Sequence, residues 1–579
     1  MFRSCQNCQQ SFEIMDEDLK FYKEISPIFN NKKYEIPPPT FCPDCRQQRR
    51  LAFRNEYKLY KRKCDATGEE ILSVFSPEKP FKVYKNNYWY SDKWNPLDYE
   101  QEYDFNKAFF EQFQELMRKV PQLALSTINL QNCDFTNQCG FCKNCYLIFE
   151  ADGDDSCYYS NYICDSKSSM DITHGLKCEL CYQCVDCKQS YNLKYSQNCQ
   201  TCTDSFFLKN CIGCKNCFGS VNLRNKEYYF FNKKLSKEEY LEKIKSLELH
   251  KYSNIQETYQ KFLNFAKKFP NKATQGVQNE DSQGDYIFNT QRCHYCFDVH
   301  NAQDCKYIFY ARNLKKVYDM TVFGAKEGVE FCYENHEIGG GIKNIYFSDQ
   351  IWGGTYNIFY SKLCMQNSHD LFGCVGLQHK EYCILNKQYT KEEYEKLVPK
   401  IIKKMIENRE YGEFFPISLS PFAYNETIAQ YYFPTTKEEI LKKNLQWKDN
   451  IDTIPQAEKV IPANLLPDSI SEIPRTEEVG QADDILNWAI LPVDMPCQGI
   501  STNRPFKIIK PELDFYRQMN LPIPHLHPEE RHLQRMSLRN PRKFWDRKCD
   551  KCGKEIQTTY SPDRKEIIYC EECYKKEVY

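Results

Sequence analysis

Eight cysteines near the two ends of the chain are spaced for metal chemistry. Cys5-x2-Cys8 is followed after a long insertion by Cys42-x2-Cys45, and Cys549-x2-Cys552 is followed more closely by Cys570-x2-Cys573. Two such pairs supply four thiolates, which fill the shell of a tetrahedral closed-shell ion such as zinc and leave no position for a substrate. The expectation is two structural zinc ions. In the first site the second pair directly precedes Arg46, where a helix is expected to start, so a knuckle, an excursion and a knuckle on a helix N-terminus predict a treble clef. In the second site the alternating Ile556, Thr558 and Tyr560 and the turn Ser561-Pro562-Asp563 predict the hairpin of a zinc ribbon.

The two ends are copies of one module. Residues 46–77 align without a gap onto residues 531–562, with Arg46, Arg50, Arg54, Asn55, Lys58, Arg62, Lys63, Cys64, Asp65, Gly68, Glu70, Ile71, Ser76 and Pro77 matched by identical residues. Each copy lacks the site the other keeps. Cys64 faces Cys549, but Thr67, Lys85 and Tyr88 stand where Cys552, Cys570 and Cys573 would be, so no metal is expected there, with Trp89 and Trp94 as apolar filling. His527 and Glu530 stand opposite Cys42 and Cys45. Cys497, His525, His527 and His532 are either an irregular metal site or scattered surface residues.

A second duplication lies between the modules, where residues 218–240 align onto residues 372–394. Each copy ends in a capping box, Ser236-x2-Glu239 and Thr390-x2-Glu393, which predicts a closing helix. Upstream, short apolar stretches such as Asn144-Cys145-Tyr146-Leu147 and Ser156-Cys157-Tyr158-Tyr159 recur roughly every dozen residues between Asn, Asp, Ser and Gly, predicting stacked strands of a parallel β-helix-like solenoid.

The cysteines of these repeats allow two readings. Cys139, Cys142 and Cys145, then Cys178, Cys181, Cys184 and Cys187, then Cys211, Cys214 and Cys217 step by three residues and could hold further zinc. They could equally be core thiols, since Cys217 faces Leu371 and Ser220 faces Cys374 across the duplication, and a ligand does not tolerate Leu. Iron–sulfur ligation is not expected, because no triplet is followed by the fourth cysteine and proline of a ferredoxin run.

Positive charge is concentrated at the modules. Between Arg46 and Lys63 there are eight Lys or Arg against the single acid Glu56, and between Arg531 and Lys548 seven against Asp546, in a chain of formal charge −1. Arg46, Arg50 and Arg54, like Arg531, Arg535 and Arg539, fall on one helical face. With Arg49, Arg62, Lys63, Arg542, Lys543 and Arg547 they form a candidate surface for nucleic acid, structured RNA in preference to DNA. The competing reading pairs these arginines with acids on the solenoid. The segment around residues 456–494, with Glu458, Asp468, Glu472, Glu477, Glu478, Asp483 and Asp484, reads as an extended acidic linker that could cover a basic module, with Leu486 to Leu491 as an anchor.

The chain has 579 residues and 32 cysteines, no apolar segment of membrane-spanning length, and a start that enters the first knuckle at once. Reduced thiols in the cytoplasm, with no membrane and no signal peptide, are the expectation. No nucleophile elbow, phosphate loop or HExxH motif stands out, so no enzyme is expected. The minor alternative is a carbohydrate-active β-helix enzyme using Asp298, His300, Glu334 and His336.

With Cys42-Pro43-Asp44-Cys45-Arg46, Arg62-Lys63-Cys64-Asp65, Leu377-x2-Lys380-Glu381-Tyr382-x3-Asn386-Lys387 and Arg547-Lys548-Cys549-Asp550-x-Cys552-Gly553-Lys554, the chain resembles large zinc-ribbon proteins with cysteine-rich central repeats from reduced-genome bacteria. The resemblance implies zinc binding and a module-repeat-repeat-module layout; Lys85 and Tyr88 depart from its ribbon. The expected fold is mainly β with α. It comprises an N-terminal zinc module (1–100), a helical connector (101–130), a first solenoid repeat with closing helix (131–272), a second (285–412), an acidic linker (413–495) and a C-terminal zinc module (496–579). The expected role is a zinc-binding adaptor for nucleic acid; the alternative is a scaffold that binds a protein partner on its solenoid faces.

Overall fold

A computed structural model describes residues 1–322, 327–449, 455–474, 483–492 and 504–579. The chain divides into two compact units, each made of two stretches of sequence: Met1–Leu125 with Thr274–Lys448, and Ser126–Ala273 with Asp449–Tyr579. The N-terminal module thus belongs with the second solenoid repeat, and the C-terminal module with the first. Among the described residues no helix is long and apolar enough to cross a membrane.

The solenoids are built on a three-residue step. In the unit containing Ser126–Ala273, parallel strands such as Asn137–Gly140, Phe149–Asp152 and Asn161–Cys164 pair in a twelve-residue register, Asn137 with Phe149 and Phe149 with Asn161. Single bridges on the other sides of each turn, such as Tyr146 to Tyr158, keep the same register. The stretches Asn144 to Leu147 and Ser156 to Tyr159, expected to be strands, lie on these bridged sides. At every third position from Asn132 through Phe135, Gln138, Phe141 and Asn144 the backbone is left-handed, and the residue that follows is an inner one: Cys139, Cys142, Cys145, Ile148 and Ala151 are all buried. A left-handed turn costs an L-residue roughly 1–2 kcal/mol unless it is Gly, Asn or Asp. Hydrogen bonds between turns hold it in place, for example Asn144 N–H to Gln131 O at 2.9 Å and Lys143 N–H to Asp154 O at 2.9 Å.

An interior only one side chain deep admits small residues. Where it is Ser, the hydroxyl accepts the amide of the inner residue one turn later: Ile172 N–H to Ser160 Oγ at 3.0 Å, Leu208 N–H to Ser196 Oγ at 3.0 Å and Cys217 N–H to Ser205 Oγ at 3.0 Å. The second solenoid opens on an eleven-residue step, Gly276 to Ile287, takes the twelve-residue register from Phe297 to Phe309, and lengthens to fifteen residues from Leu314 to Val329 and to thirteen from Val329 to Ile342 and from Tyr356 to His369. Its interior carries more aliphatic residues, including Val299, Ile308, Val317, Ile345, Ile358 and Leu371. Each solenoid ends in an antiparallel hairpin, Glu227–Phe230 with Lys233–Lys234 and Glu381–Ile384 with Lys387–Gln388. The closing helices Lys237–Ser246 and Lys391–Glu407 follow, each with the predicted capping box.

The acidic linker is not extended. Phe414, Phe415, Leu419 and Phe422 join the core of the first unit beside Phe53, Phe75 and Phe109. In the second unit Lys459–Pro462 pairs in parallel with Trp488–Leu491, the expected anchor, and Ile461, Leu466, Ile470, Ile473 and Ile485 are buried in its core. Of the linker's acids, Glu458, Glu472 and Asp484 are exposed, Asp468 and Asp483 are half-buried, with Asp483 paired to Arg517 at 2.6 Å, and Glu426 is buried. Glu477 and Glu478, on which a cover over the basic module rested, lie outside the described residues.

Candidate metal centres

Both four-cysteine sets come together. The sulfurs of Cys5, Cys8, Cys42 and Cys45 lie within 4.8 Å of one another, as do those of Cys549, Cys552, Cys570 and Cys573. Cys8 Sγ is 3.7 Å from Cys42 Sγ and Cys552 Sγ is 3.8 Å from Cys570 Sγ. A tetrahedron with Zn–S bonds near 2.3 Å has an edge of about 3.8 Å, whereas a disulfide would need about 2.05 Å. The donor sets therefore fit a four-coordinate ion.

The backbone builds both sites alike. Cys5 O accepts the Gln9 amide at 2.9 Å and Cys549 O accepts the Gly553 amide at 2.9 Å, with Gln9 and Gly553 in the left-handed region that closes the knuckle. The opposing chain then donates an amide to the first sulfur, Cys42 N–H to Cys5 Sγ at 3.2 Å and Cys570 N–H to Cys549 Sγ at 3.2 Å. Burial opposes ionisation of Cys5 and Cys549, but backbone amides, those of Cys8 and Cys552 within each knuckle together with Cys42 and Cys570 across it, outweigh it and pull the thiols down to about 7 and about 6. Cys42 and Cys570 each precede the first turn of a helix, Pro43–Leu51 and Glu571–Val578.

The degenerate ribbon keeps the knuckle without the ligands. Gly68 N–H donates to Cys64 O at 2.9 Å and Lys85 N–H to Cys64 Sγ at 3.4 Å. In the ligand positions, Lys85 pairs with Glu69 and Tyr88 packs edge-on against Tyr84. Trp89 is buried with Leu123, Leu363 and Met365, and Trp94 packs against this cluster. In the degenerate clef, His525 stacks on Tyr252 at 3.6 Å, His532 Nδ1 is 2.7 Å from Asn161 Nδ2, and His527 Nδ1 accepts the Glu529 amide at 3.1 Å. Cys497 lies outside the described residues.

The central cysteines lie in the solenoid core, as the core-thiol reading expects. Cys139, Cys142, Cys145, Cys178, Cys181, Cys184, Cys187, Cys211, Cys214 and Cys217 are all buried inner residues, and their spacing of three is the step of the solenoid. They bond to their own walls: Cys139 Sγ donates to Asn137 O at 3.1 Å, Cys184 Sγ to Tyr182 O at 3.4 Å and Cys217 Sγ to Lys215 O at 3.3 Å. No three of them bring their sulfurs within 4.8 Å of one another. Burial pushes the inner thiols Cys332 and Cys364 of the other solenoid up to about 12.

Most arginines of the basic stripe pair with acids on the solenoid, the competing reading of the sequence. Arg46, Arg49, Arg50, Arg54, Arg531 and Arg535 are buried, and Arg539 is nearly so, because each helix lies on its own unit's solenoid. In the first unit Arg46 Nη2 is 2.9 Å from Asp319 Oδ2, Arg50 Nη1 is 3.2 Å from Asp319 Oδ1, and Arg50 Nε is 3.2 Å from Thr321 Oγ1. In the second, Arg531 Nη1 is 2.5 Å from Asp171 Oδ2, Arg535 Nη1 is 2.7 Å from Asp171 Oδ1, and Arg535 Nε is 3.1 Å from Thr173 Oγ1. Arg46 lies over the Tyr307 ring at 5.0 Å and Arg531 over the Tyr159 ring at 4.8 Å. One carboxylate thus joins two arginines a helical turn apart, in duplicate. Arg49 adds Glu334 and Glu413 at 2.8 and 2.9 Å, Arg54 adds Glu56 and Glu337, and Arg539 adds Asp186 at 3.0 Å. Arg62 and Arg547 bond to Ser76 O and Ser561 O at 3.4 Å; Lys63 and Lys543 are exposed, Arg542 half-buried.

Sequence reasoning missed Tyr159, Asp171 and Thr173 and their counterparts Tyr307, Asp319 and Thr321. The available signal was an Asp-x-Thr twelve residues after a Tyr, present in both repeats. Of the residues named for the enzyme alternative, Glu334 accepts from Arg49 and from the Phe414 amide, His336 bonds to Asp349, and both are fully buried. His300 stacks on Phe288 at 4.6 Å. No family model and no curated protein matches the chain.

Proposed function

We propose that the chain is a non-enzymatic cytoplasmic scaffold, with zinc in both four-cysteine centres and a protein partner bound on its solenoid faces. The duplicated arginine lock carries this reading: the helices that could have gripped a phosphate backbone are instead the fasteners holding each module to a solenoid. A charged group removed from its buried partner costs roughly 3–5 kcal/mol, so several arginines would not leave their carboxylates for solvent-exposed phosphates. Four thiolates complete the zinc shell, so the metal sets the module's shape and offers no site for chemistry. The many free thiols suit a reducing compartment. The layout agrees with the resemblance to zinc-ribbon proteins with cysteine-rich repeats.

Ultraviolet crosslinking and affinity purification of the native full-length protein test the reading together. The expected result is a co-purifying protein retained at high salt, with no nucleic-acid crosslink in residues 46–63 or 531–548. Crosslinks in those residues, with steep salt dependence, would replace the scaffold by a nucleic-acid adaptor.

A further inference from the structure

The second solenoid carries an open groove of about 760 Å³ on one side, with a lining among the described residues that runs from Gln278 to Lys343. Its size is that of a small-ligand cleft. One wall is a column of left-handed corners. Asn289, Asn301 and Asn313 stack in register and link side chain to side chain, Asn289 Nδ2 to Asn301 Oδ1 at 3.0 Å and Asn301 Nδ2 to Asn313 Oδ1 at 3.0 Å. The column continues through Gly328 and Gly341, as the pairing of Leu314 with Val329 and Val329 with Ile342 requires. Packing does not demand glycine at either place: a Cβ on Gly328 would meet only Asn313 O at 3.6 Å, and one on Gly341 only Glu327 Cβ at 3.8 Å. Asparagine serves the same left-handed corner three times in this column. The fold could fill the groove with two more amides, and the sequence leaves it open.

The floor is the outward column Glu280, Gln291, Gln303, Lys315, Glu330 and Lys343, which occupies successive turns. At about 4.8 Å per turn it runs roughly 24 Å along the solenoid axis. Lys315 and Glu330 are direct neighbours, yet among the described residues neither enters an ion pair, which leaves both polar heads for a ligand. The groove carries three carboxylates, Glu280, Glu327 and Glu330, against two ammonium groups, Lys315 and Lys343, so it lacks the positive field that nucleic acid needs. It is a sheet face and not an edge, and its apolar members Ala302, Leu314, Val329 and Ile342 are buried, so a peptide finds neither a strand to extend nor a pocket for an anchor. What fits is a long, uncharged chain that offers hydroxyl donors and acceptors at every step, matched to amides that can both give and accept.

We propose that this groove binds a linear, uncharged oligosaccharide along the solenoid axis. The column continues past Lys343 to Tyr356, which is 44% exposed and stacks one face of its ring on His369 at 4.6 Å, leaving the other face beyond the end of the groove. The test is isothermal titration of the full-length, metal-replete protein with cellohexaose, xylohexaose, maltohexaose and N-acetylchitohexaose, using wild type, Gly341→Asn and Gly328→Asn. Asparagine suits the left-handed backbone, so both variants should keep the wild-type melting temperature while filling the groove. The expected result is saturable binding of at least one sugar, weakened tenfold or more in both variants. No binding of any of the four at millimolar concentration would overturn the proposal, as would binding that both folded variants leave unchanged. Displacement of the bound sugar by a short RNA or an unstructured peptide would also overturn it.

Discussion

Asp171 and Asp319 each bridge two arginines inside a packed interface, and their loss leaves the buried guanidinium groups of Arg535 and Arg50 without their carboxylate. Asp319→Ala is expected to destabilise the first unit by roughly 3–5 kcal/mol, and Asp171→Ala the second by a similar amount. Hydrogen exchange read separately in Pro43–Leu51 and Pro528–Ser537 checks this, each substitution loosening only its own helix. His532 makes the second module acid-sensitive. Burial holds it down to about 3 from an ordinary 6.5, with the positive charge of Arg535 adding to the effect. Between those values the unfolded chain binds the extra proton, so stability falls as pH drops from about 6.5 to about 3 and is indifferent to this group above 6.5. Gln47 holds the corresponding place in the other module. His532→Gln should flatten the acid limb of the second unit's unfolding by up to roughly 3 kcal/mol, measured by denaturant titration from pH 7 to pH 4. Native mass spectrometry should find two metal ions per chain, one after Cys570→Ser, and still two after Cys214→Ser. The four-cysteine sets were legible because ligand spacing is local. The lock was not, because it joins Arg46 to a residue 273 positions away, and a stripe of arginines looks the same in sequence whether it faces phosphate or carboxylate.

Strand pairing in the solenoids was legible from the twelve-residue recurrence of apolar stretches, but the three-residue step beneath it was hidden in plain sight. Cys139, Cys142 and Cys145 recur at the spacing of a zinc knuckle because a turn with four short sides also buries every third residue. The spacing alone does not separate the two; the exchange of Cys for Leu and Ser between repeats does, since a packing position accepts what a ligand position cannot. The acidic segment misled for a related reason: Ile461, Ile470 and Ile473 are spread too irregularly among prolines and acids to show a period, yet each is buried. The inner thiols that burial keeps protonated, Cys184, Cys199 and Cys211 among them, should be chemically silent while folded. Iodoacetamide is expected to modify Cys184, Cys199 and Cys211 only after the solenoid unfolds, with peptide mass spectrometry across a urea series as the readout. Modification of these residues in the native protein would mean that the wall opens.

At the scale of the molecule, the sequence order of module, repeat, repeat and module was apparent, whereas the assignment of each module to its repeat was not. Sequence adjacency favours joining the N-terminal module to the first repeat, and nothing local contradicts it. The arginine–aspartate contacts decide otherwise, and they make the first unit discontinuous. A chain beginning at Thr274 and ending at Lys448 should expose Asp319 and Glu334 and be poorly soluble. Co-expression with Met1–Leu125 is expected to restore a soluble complex, and failure to do so would show that the intervening sequence is needed for assembly. The same nesting has a consequence in time. A ribosome releases the N-terminal module first, then makes the whole of Ser126–Ala273 before the matching repeat begins to appear. At roughly 5–20 residues per second, the arginines of Pro43–Leu51 stay unmated for about ten seconds or more. During that interval the nascent helix is the exposed basic surface that the finished protein never shows.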